Sequence, residues 1–129
     1  MNISAVILTK NEELNIEKCI FSLNQKSIFD IHVVDSGSND NTVQLAQKLN
    51  VNVYYRKFDN HLNQICFALN NIKFKYPLVI RIDADEELIE VGTLDEIQNY
   101  NNINKKNTNK VVVAGSGIRE YSFLGKTLK

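Results

Sequence analysis

Two carboxylates separated by a single residue, Asp83 and Asp85, follow the apolar run 78–82 and are the side chains best suited to chemistry. In an extended or turning segment the two side chains can point the same way and share one cation. Mg²⁺ and Mn²⁺ prefer oxygen ligands, and magnesium sites usually combine one or two carboxylates with substrate phosphates. The pair therefore indicates a metal-diphosphate site, although such a pair taken alone is more often two solvated acids at a helix start.

Other polar residues also stand at the ends of apolar segments. The carboxylate of Asp35 could accept a hydrogen bond from a uracil imide or a ribose hydroxyl, or could instead cap the turn that starts at Ser36. Thr9 could bond a base or simply end its strand. Glu12 is more often a charge in the first turn of a helix than a ligand.

Apolar segments alternate with helical patterns along the chain, and this order predicts a mostly parallel sheet with helices on both faces. Such a three-layer α/β sandwich binds ligands beyond the carboxyl ends of its strands. We therefore expect Thr9, Asp35 and Asp83 at one edge of the sheet. The predicted strands are Ile3–Thr9, Asp30–Asp35, 51–55, 78–82 and 111–114, and the predicted helices lie after Asn11, over 42–49 and 61–72, and after Gly92, with a polar loop over 99–109.

Side-chain patterns refine the helices. Asn11 can cap the first helix, and we expect Leu14 of that helix in the core. Apolar residues recur at three- and four-residue spacing over 61–72, which predicts one buried face. The two cysteines, Cys19 and Cys66, are predicted to be reduced core thiols. The predicted buried face of the helix consists of Leu62, Ile65, Cys66, Leu69 and Ile72.

The bulk composition indicates a single globular domain over residues 1–129. Lys+Arg and Asp+Glu are both 15, so the formal net charge is zero, and no nucleic-acid surface or polybasic membrane-binding segment is indicated. No signal peptide is recognisable, and the longest apolar runs are too short to cross a bilayer. We therefore expect a cytoplasmic protein without a transmembrane segment.

Three segments, in this order and at this spacing, resemble the motifs of glycosyltransferase family 2. The sequence ISAVILTKNEE at 3–13 is similar to the opening strand of the family, IHVVDSGSNDNT at 31–42 to its second motif, and VIRIDADE at 79–86 to its metal motif. Within the family these segments most resemble bacterial lipopolysaccharide-core glucosyltransferases. The resemblance covers nearly the whole chain.

The resemblance implies the GT-A fold and transfer of a sugar from a nucleoside-diphosphate sugar, most simply a UDP-sugar. The acceptor would be a glycan or a lipid-linked glycan such as lipopolysaccharide core, reached from the cytoplasm at the inner face of the membrane. A Mn²⁺ or Mg²⁺ ion would bridge the two donor phosphates. The implied nucleotide-sugar site consists of Thr9, Asn11, Glu12, Asp35 and Asp83, and the implied metal site consists of Asp83 and Asp85.

Two departures from the family pattern shape the expected function. The family usually carries Gln-Arg-Asn before Phe-Ala, whereas here Ile65 and Cys66 follow Gln64, so that position lacks an arginine that would neutralise phosphate charge. Family members are longer, and their acceptor-binding half, which supplies the general base, has no match here. We therefore expect a C-terminally truncated donor-binding part. It either works with a complementing half or binds nucleotide and metal without turnover, and its exposed apolar surface favours self-association.

Overall fold

The computed structural model describes residues 2–88 together with the backbone of two short strands at 121–123 and 126–128. Strands β1 (Ile3–Thr9), β2 (Asp30–Asp35), β3 (Asn52–Tyr55) and β4 (Leu78–Asp83) are connected by helices α1 (Ile16–Gln25), α2 (Thr42–Lys48) and α3 (His61–Asn71). These four strands are parallel and form one sheet in the order β3-β2-β1-β4. Strands β5 (Tyr121–Phe123) and β6 (Lys126–Leu128) pair antiparallel. The predicted mostly parallel α/β sheet is confirmed.

Two apolar clusters cover the two faces of the sheet, so the helices form two outer layers. All seven residues of β1 are buried, as is typical of a parallel strand covered on both faces. The cluster that packs α1 and α2 against one face includes Ile3, Ala5, Ile7, Ile16, Ile20, Leu23, Ile31, Val33 and Ala46. The cluster that packs α3 against the other face includes Val6, Leu8, Val34, Ala68 and Ile72. The predicted three-layer arrangement is therefore confirmed.

The first helix begins later than predicted. Helix α1 starts at Ile16, and its N-cap residue, Asn15, makes no capping hydrogen bond with its side chain. Asn11 instead has a left-handed backbone conformation with φ of 53°, and Leu14 is 83% exposed. The capping role of Asn11 and the core position of Leu14 were both wrong, because the residues before α1 form a turn that is bonded to the loop after β2.

The buried face of α3 also differs from the predicted one. Gln64, Ala68 and Ile72 are buried at four-residue spacing, whereas Leu62 is 72% exposed and Leu69 is exposed as well. The helix is rotated about its axis because a glutamine with hydrogen-bond partners in the interior occupies a position that the apolar pattern assigned to solvent. The predicted apolar face was therefore largely wrong.

The two cysteines have different environments. Cys19 is buried as predicted, and its Sγ lies 3.7 Å from the carbonyl oxygen of Asp83. Burial, followed by the negative charges of Glu86 and Asp85, raises the pKa of Cys19 to about 12, so the thiol is protonated and unreactive at neutral pH. Cys66 is exposed because α3 is rotated, and the prediction of a second core thiol was wrong.

Several predictions concern residues 89–120, which the structure does not describe. The helix after Gly92, the loop over 99–109 and the strand over 111–114 all lie outside the described residues. In the part of the chain that is described, no helix combines the length and the apolar character needed to span a membrane.

Candidate functional site

The carboxyl ends of three neighbouring strands meet at one edge of the sheet. Thr9 of β1 lies opposite Asp35 of β2, and Leu8 of β1 lies opposite Asp83 of β4. The backbone continues this pairing past the strands, because Ser36 N donates a hydrogen bond to Thr9 O at 3.0 Å. Three of the predicted site residues thus lie on adjacent strand ends, where parallel sheets bind their ligands.

Strand alternation divides these residues between the two sides of the edge. Side chains alternate between the two faces along a strand, so Thr9 and Asp35 lie on the same face as Ile7 and Val33, which pack against α1 and α2. Ile82 also lies on that face, so its neighbour Asp83 lies on the face that packs against α3. A ligand in contact with all three residues must therefore lie across the edge and not on one face. Sequence spacing alone did not reveal this division.

The carboxylate of Asp35 caps the turn that follows β2. Its Oδ2 accepts hydrogen bonds from the backbone N–H groups of Gly37 at 2.9 Å and Ser38 at 2.8 Å, and its Oδ1 accepts one from the Ser38 hydroxyl at 2.5 Å. Gly37 has φ of 101°, a conformation that favours glycine. Of the two alternatives for Asp35, the capping role is therefore present in the structure, and contact with a nucleotide stays a prediction.

The hydroxyl of Thr9 is buried, and its Oγ1 has no hydrogen-bond partner within the described residues. Leaving a buried hydroxyl without a partner costs about 1–3 kcal/mol, and native structures rarely do so. A polar ligand atom placed beyond the end of β1 would satisfy this group. Thr9 is therefore suited to the nucleotide contact that the sequence predicted for it.

Asn11 and Glu12 join the loop after β1 to the loop after β2. Asn11 N donates to Ser38 Oγ at 2.8 Å, and Asn11 Oδ1 accepts from Asn39 N at 2.7 Å. Glu12 N donates to Thr42 Oγ1 at 2.8 Å. The two residues that were predicted near the nucleotide thus hold the two loops together, and they can act on a ligand through the position of these loops.

Asp40 and Glu13 extend this connection between the loops. Glu13 N donates to Asp40 Oδ2 at 3.2 Å, and Glu13 Oε2 accepts from Asn41 N at 3.0 Å. Asp40 Oδ1 also accepts from the backbone N–H and the hydroxyl of Thr42. Desolvation raises the pKa of Asp40, but the hydrogen bonds from Thr42 and Glu13 outweigh it and keep the pKa below its ordinary value. The loops are therefore bonded by an ionised carboxylate at neutral pH.

The two carboxylates of the candidate metal site differ in their contacts. Asp83 Oδ1 forms an ion pair with Arg81 Nη2 at 2.7 Å, and Asp83 N donates to Glu86 Oε2 at 2.9 Å. Asp85 is exposed, and within residues 2–88 its side chain has no hydrogen bond or ion pair. No group of three His, Cys, Asp or Glu side chains among the described residues could hold a metal by itself. The pair therefore fits a cation whose shell substrate phosphates complete, with Asp85 as the more available ligand.

Gln64 and Arg56 form a polar connection at the same edge, which the sequence did not assign to the site. Gln64 is 1% exposed, and its Nε2 donates to Ser36 Oγ at 3.1 Å and to Arg56 O at 3.2 Å. Arg56 Nη1 donates to Gln64 Oε1 at 2.7 Å and to Asp59 Oδ1 at 2.9 Å. The family resemblance marks Gln64 only as the start of a helix motif, and hydrophobic periodicity treats a glutamine as a surface residue.

Comparison with known proteins gives a family match over most of the chain. The family model described as "Glycosyl transferase family 2" matches residues 4–116, which include Thr9, Asp35, Asp83 and Asp85. An uncharacterized glycosyltransferase of Rickettsia bellii is 42% identical over 87 residues, covering 67% of this chain and 28% of the relative. The lipopolysaccharide core biosynthesis glycosyltransferase LpsC of Rhizobium meliloti is 36% identical over 91 residues, covering 67% and 32%. The chain thus spans less than a third of the length of these curated relatives.

A solved structure shows the same fold. Glucosyl-3-phosphoglycerate synthase from Mycobacterium tuberculosis, in complex with Mn²⁺, UDP and glucosyl-3-phosphoglycerate, is similar to this chain with a TM-score of 0.55 and 25% identity. The similarity covers 64% of this chain and 33% of the synthase. The predicted GT-A fold is therefore confirmed for the N-terminal part of such a transferase.

Proposed function

The chain belongs to glycosyltransferase family 2, and on this premise we propose that it binds the donor of a sugar transfer, a nucleoside-diphosphate sugar of the UDP class. The observation that carries the proposal is the meeting of Thr9, Asp35 and Asp83 at one edge of the sheet, with Asp85 directly beyond it. Thr9 and Asp35 lie on the side of the sheet that faces α1 and α2, and Asp83 lies on the side that faces α3. A nucleoside diphosphate is long enough to lie across such an edge and contact both sides.

Each side chain has a role that its contacts support. The buried Thr9 hydroxyl, which has no partner within the described residues, would bond a uracil or ribose oxygen. Asp35, already held by three hydrogen bonds, would present a fixed acceptor to the uracil imide or a ribose hydroxyl. Asn11 and Glu12 would keep the two loops in the conformation that binds the nucleotide.

We propose that Asp85, assisted by Asp83, binds the Mn²⁺ or Mg²⁺ ion of the donor complex. Support comes from the exposed, unbonded state of Asp85 within the described residues and from the mycobacterial synthase, whose complex contains Mn²⁺ and UDP. A divalent ion bound there would supply positive charge to the departing diphosphate. The ion pair with Arg81 would hold the Asp83 side chain in place beside it.

The acceptor proposed here is a cell-envelope glycan such as lipopolysaccharide core, modified at the cytoplasmic face of the inner membrane. The support is the similarity to LpsC, whose name places it in lipopolysaccharide core biosynthesis. The chain matches only part of such enzymes. We therefore propose that none of the described residues binds the acceptor or acts as the general base.

A second proposal is that the chain binds the nucleotide and the metal without turnover. Calorimetric titration with UDP and Mn²⁺, followed by a panel of UDP-sugars with detection of released UDP, separates the two proposals. We expect binding of UDP that depends on Mn²⁺ in either case, and release of UDP only if the chain is catalytically active. A chain that does not bind UDP in the presence of Mn²⁺ would contradict both.

We also propose that the chain self-associates through apolar side chains of α3. Leu62 and Leu69 are exposed and lie with Cys66 along one side of this helix. Exposed apolar patches of this kind favour association. Sedimentation velocity of the chain should therefore show species larger than a monomer, and L62K should shift the distribution toward the monomer. A single monomeric species at all concentrations would contradict self-association.

A further inference from the structure

We propose that Gln64 is a positioning residue for the donor nucleotide, because together with Arg56 it turns the Ser36 hydroxyl into a hydrogen-bond donor at the sheet edge. This inference rests on the proposed function, since it assigns the hydroxyl to an acceptor oxygen of the bound nucleotide. Neither the family motifs nor the predicted site residues assign a role to Ser36 or Arg56. The atoms that can donate and those that can accept in these three residues determine the direction of each hydrogen bond.

The orientation of the Gln64 amide is determined by its neighbours. A guanidinium has only donors, so the amide atom that faces Arg56 Nη1 at 2.7 Å must be the oxygen Oε1. The amide nitrogen therefore faces the opposite way, toward the carbonyl oxygen of Arg56 at 3.2 Å, which can only accept. Two independent contacts thus require the same orientation of a side chain that is 1% exposed.

This orientation decides the role of the Ser36 hydroxyl. Gln64 Nε2 lies 3.1 Å from Ser36 Oγ and can only donate, so Ser36 Oγ is the acceptor of this bond. A hydroxyl has a single proton, and within the described residues that proton has no acceptor. The neighbouring Ser38 differs in this respect, because its hydroxyl proton is donated to Asp35 Oδ1.

Ser36 is placed where a ligand can reach its proton. It is half-buried, and it directly follows Asp35 at the carboxyl end of β2. Its backbone N–H is bonded to Thr9 O, and the backbone N–H of Arg56 is bonded to Asp35 O at 3.0 Å, so the turn is held from both sides. The Ser36 hydroxyl contacts α3, on the side of the sheet that also carries Asp83. A nucleotide that crosses the edge would therefore pass the donor hydroxyl.

A Q64E substitution tests the direction of the hydrogen bond without removing the hydroxyl. The introduced carboxylate keeps a contact with Arg56, because it and the guanidinium attract each other. However, a carboxylate can only accept, so Ser36 would donate its proton to the introduced carboxylate and no longer to a ligand. The S36A substitution removes the same donor by deleting the hydroxyl. Both changes should therefore weaken nucleotide binding by removing the same hydrogen-bond donor, the Ser36 hydroxyl.

The experiment measures UDP affinity in the presence of Mn²⁺ by calorimetry for the wild-type chain, S36A, Q64E and the double variant. We expect S36A and Q64E each to weaken binding about tenfold, the size of one hydrogen bond, and the double variant to be no weaker than S36A alone. N70D serves as the matched control, because Asn70 is exposed on the same helix and gains the same charge. N70D should bind UDP like the wild type. Melting temperatures identify any variant whose fold is disturbed.

Several outcomes would overturn the inference. Wild-type affinity in S36A or in Q64E would exclude the hydroxyl as a donor, and losses that add in the double variant would mean that Gln64 does not act through Ser36. Absence of UDP binding by the wild-type chain would overturn the proposed function together with this inference, whereas wild-type binding with unaffected variants overturns the inference alone. Titration with UMP locates the acceptor oxygen: an equal loss with UMP assigns it to the nucleoside or the first phosphate, and a loss confined to UDP assigns it to the terminal phosphate.

Discussion

Replacing Asp85 with asparagine is expected to weaken Mn²⁺-dependent binding of UDP by about 100-fold or more, because even residues that only orient metal ligands cost roughly 10–100-fold when mutated. Asparagine keeps the shape of the side chain and one oxygen but removes the negative charge that a hard cation requires. The fold should tolerate the change, because Asp85 is exposed and its side chain has no hydrogen bond within residues 2–88. Calorimetric titration with UDP at fixed Mn²⁺ measures the loss.

The control for this prediction is E87Q, which removes an exposed negative charge two residues away and should leave the affinity within about twofold of wild type, as expected for a screened surface charge. The wild-type chain in EDTA should bind UDP as weakly as D85N does in Mn²⁺, because both lack the same ion. If D85N bound UDP as tightly as the wild type in Mn²⁺, Asp85 would not be a metal ligand and the metal-diphosphate site would be wrong.

The second large effect is expected at Asp35, where a structural role and a ligand role are superimposed. D35A removes an acceptor of three hydrogen bonds and leaves two backbone N–H groups without this partner, which we expect to lower the free energy of unfolding by about 3 kcal/mol. D35N retains one oxygen that can accept from Gly37 and Ser38, so its loss of stability should be clearly smaller. Urea denaturation of both variants measures these differences.

Binding separates the two roles of Asp35. D35N replaces the charged acceptor of the proposed nucleotide contact with a neutral amide while the fold is retained. We therefore expect UDP affinity to fall at least about tenfold, as for the loss of one charge-assisted hydrogen bond. S38A is the matched comparison, because it deletes the hydroxyl that donates to Asp35 and accepts from Asn11 N but leaves the carboxylate in place. Wild-type affinity of a folded D35N protein would show that Asp35 only caps the turn.

The sequence by itself determined the order of the elements and the edge at which the candidate site lies. Runs of consecutive apolar residues, such as 5–8 within the first strand, are stable only when both faces are covered, so they predicted parallel strands between helices. Parallel strands bring their carboxyl ends together, and polar residues at those ends were therefore predicted as neighbours. The pairing of Thr9 with Asp35 and of Leu8 with Asp83 agrees with that expectation.

Only the tertiary structure decided what the polar side chains contact. Asn11 was predicted to cap a helix, but its side chain instead accepts a hydrogen bond from Asn39 N in the loop after β2. Residue spacing does not show whether such a side chain bonds a nearby or a distant backbone group. The rotation of α3 was missed for a related reason. Gln64 is buried because Arg56 and Ser36, which both lie outside α3, satisfy its amide. Periodicity counts only hydrophobic side chains and therefore assigns a glutamine to the surface. The sequence thus located the candidate site, whereas the hydrogen-bond partners that fix its donors and acceptors exist only once the strands and α3 are packed.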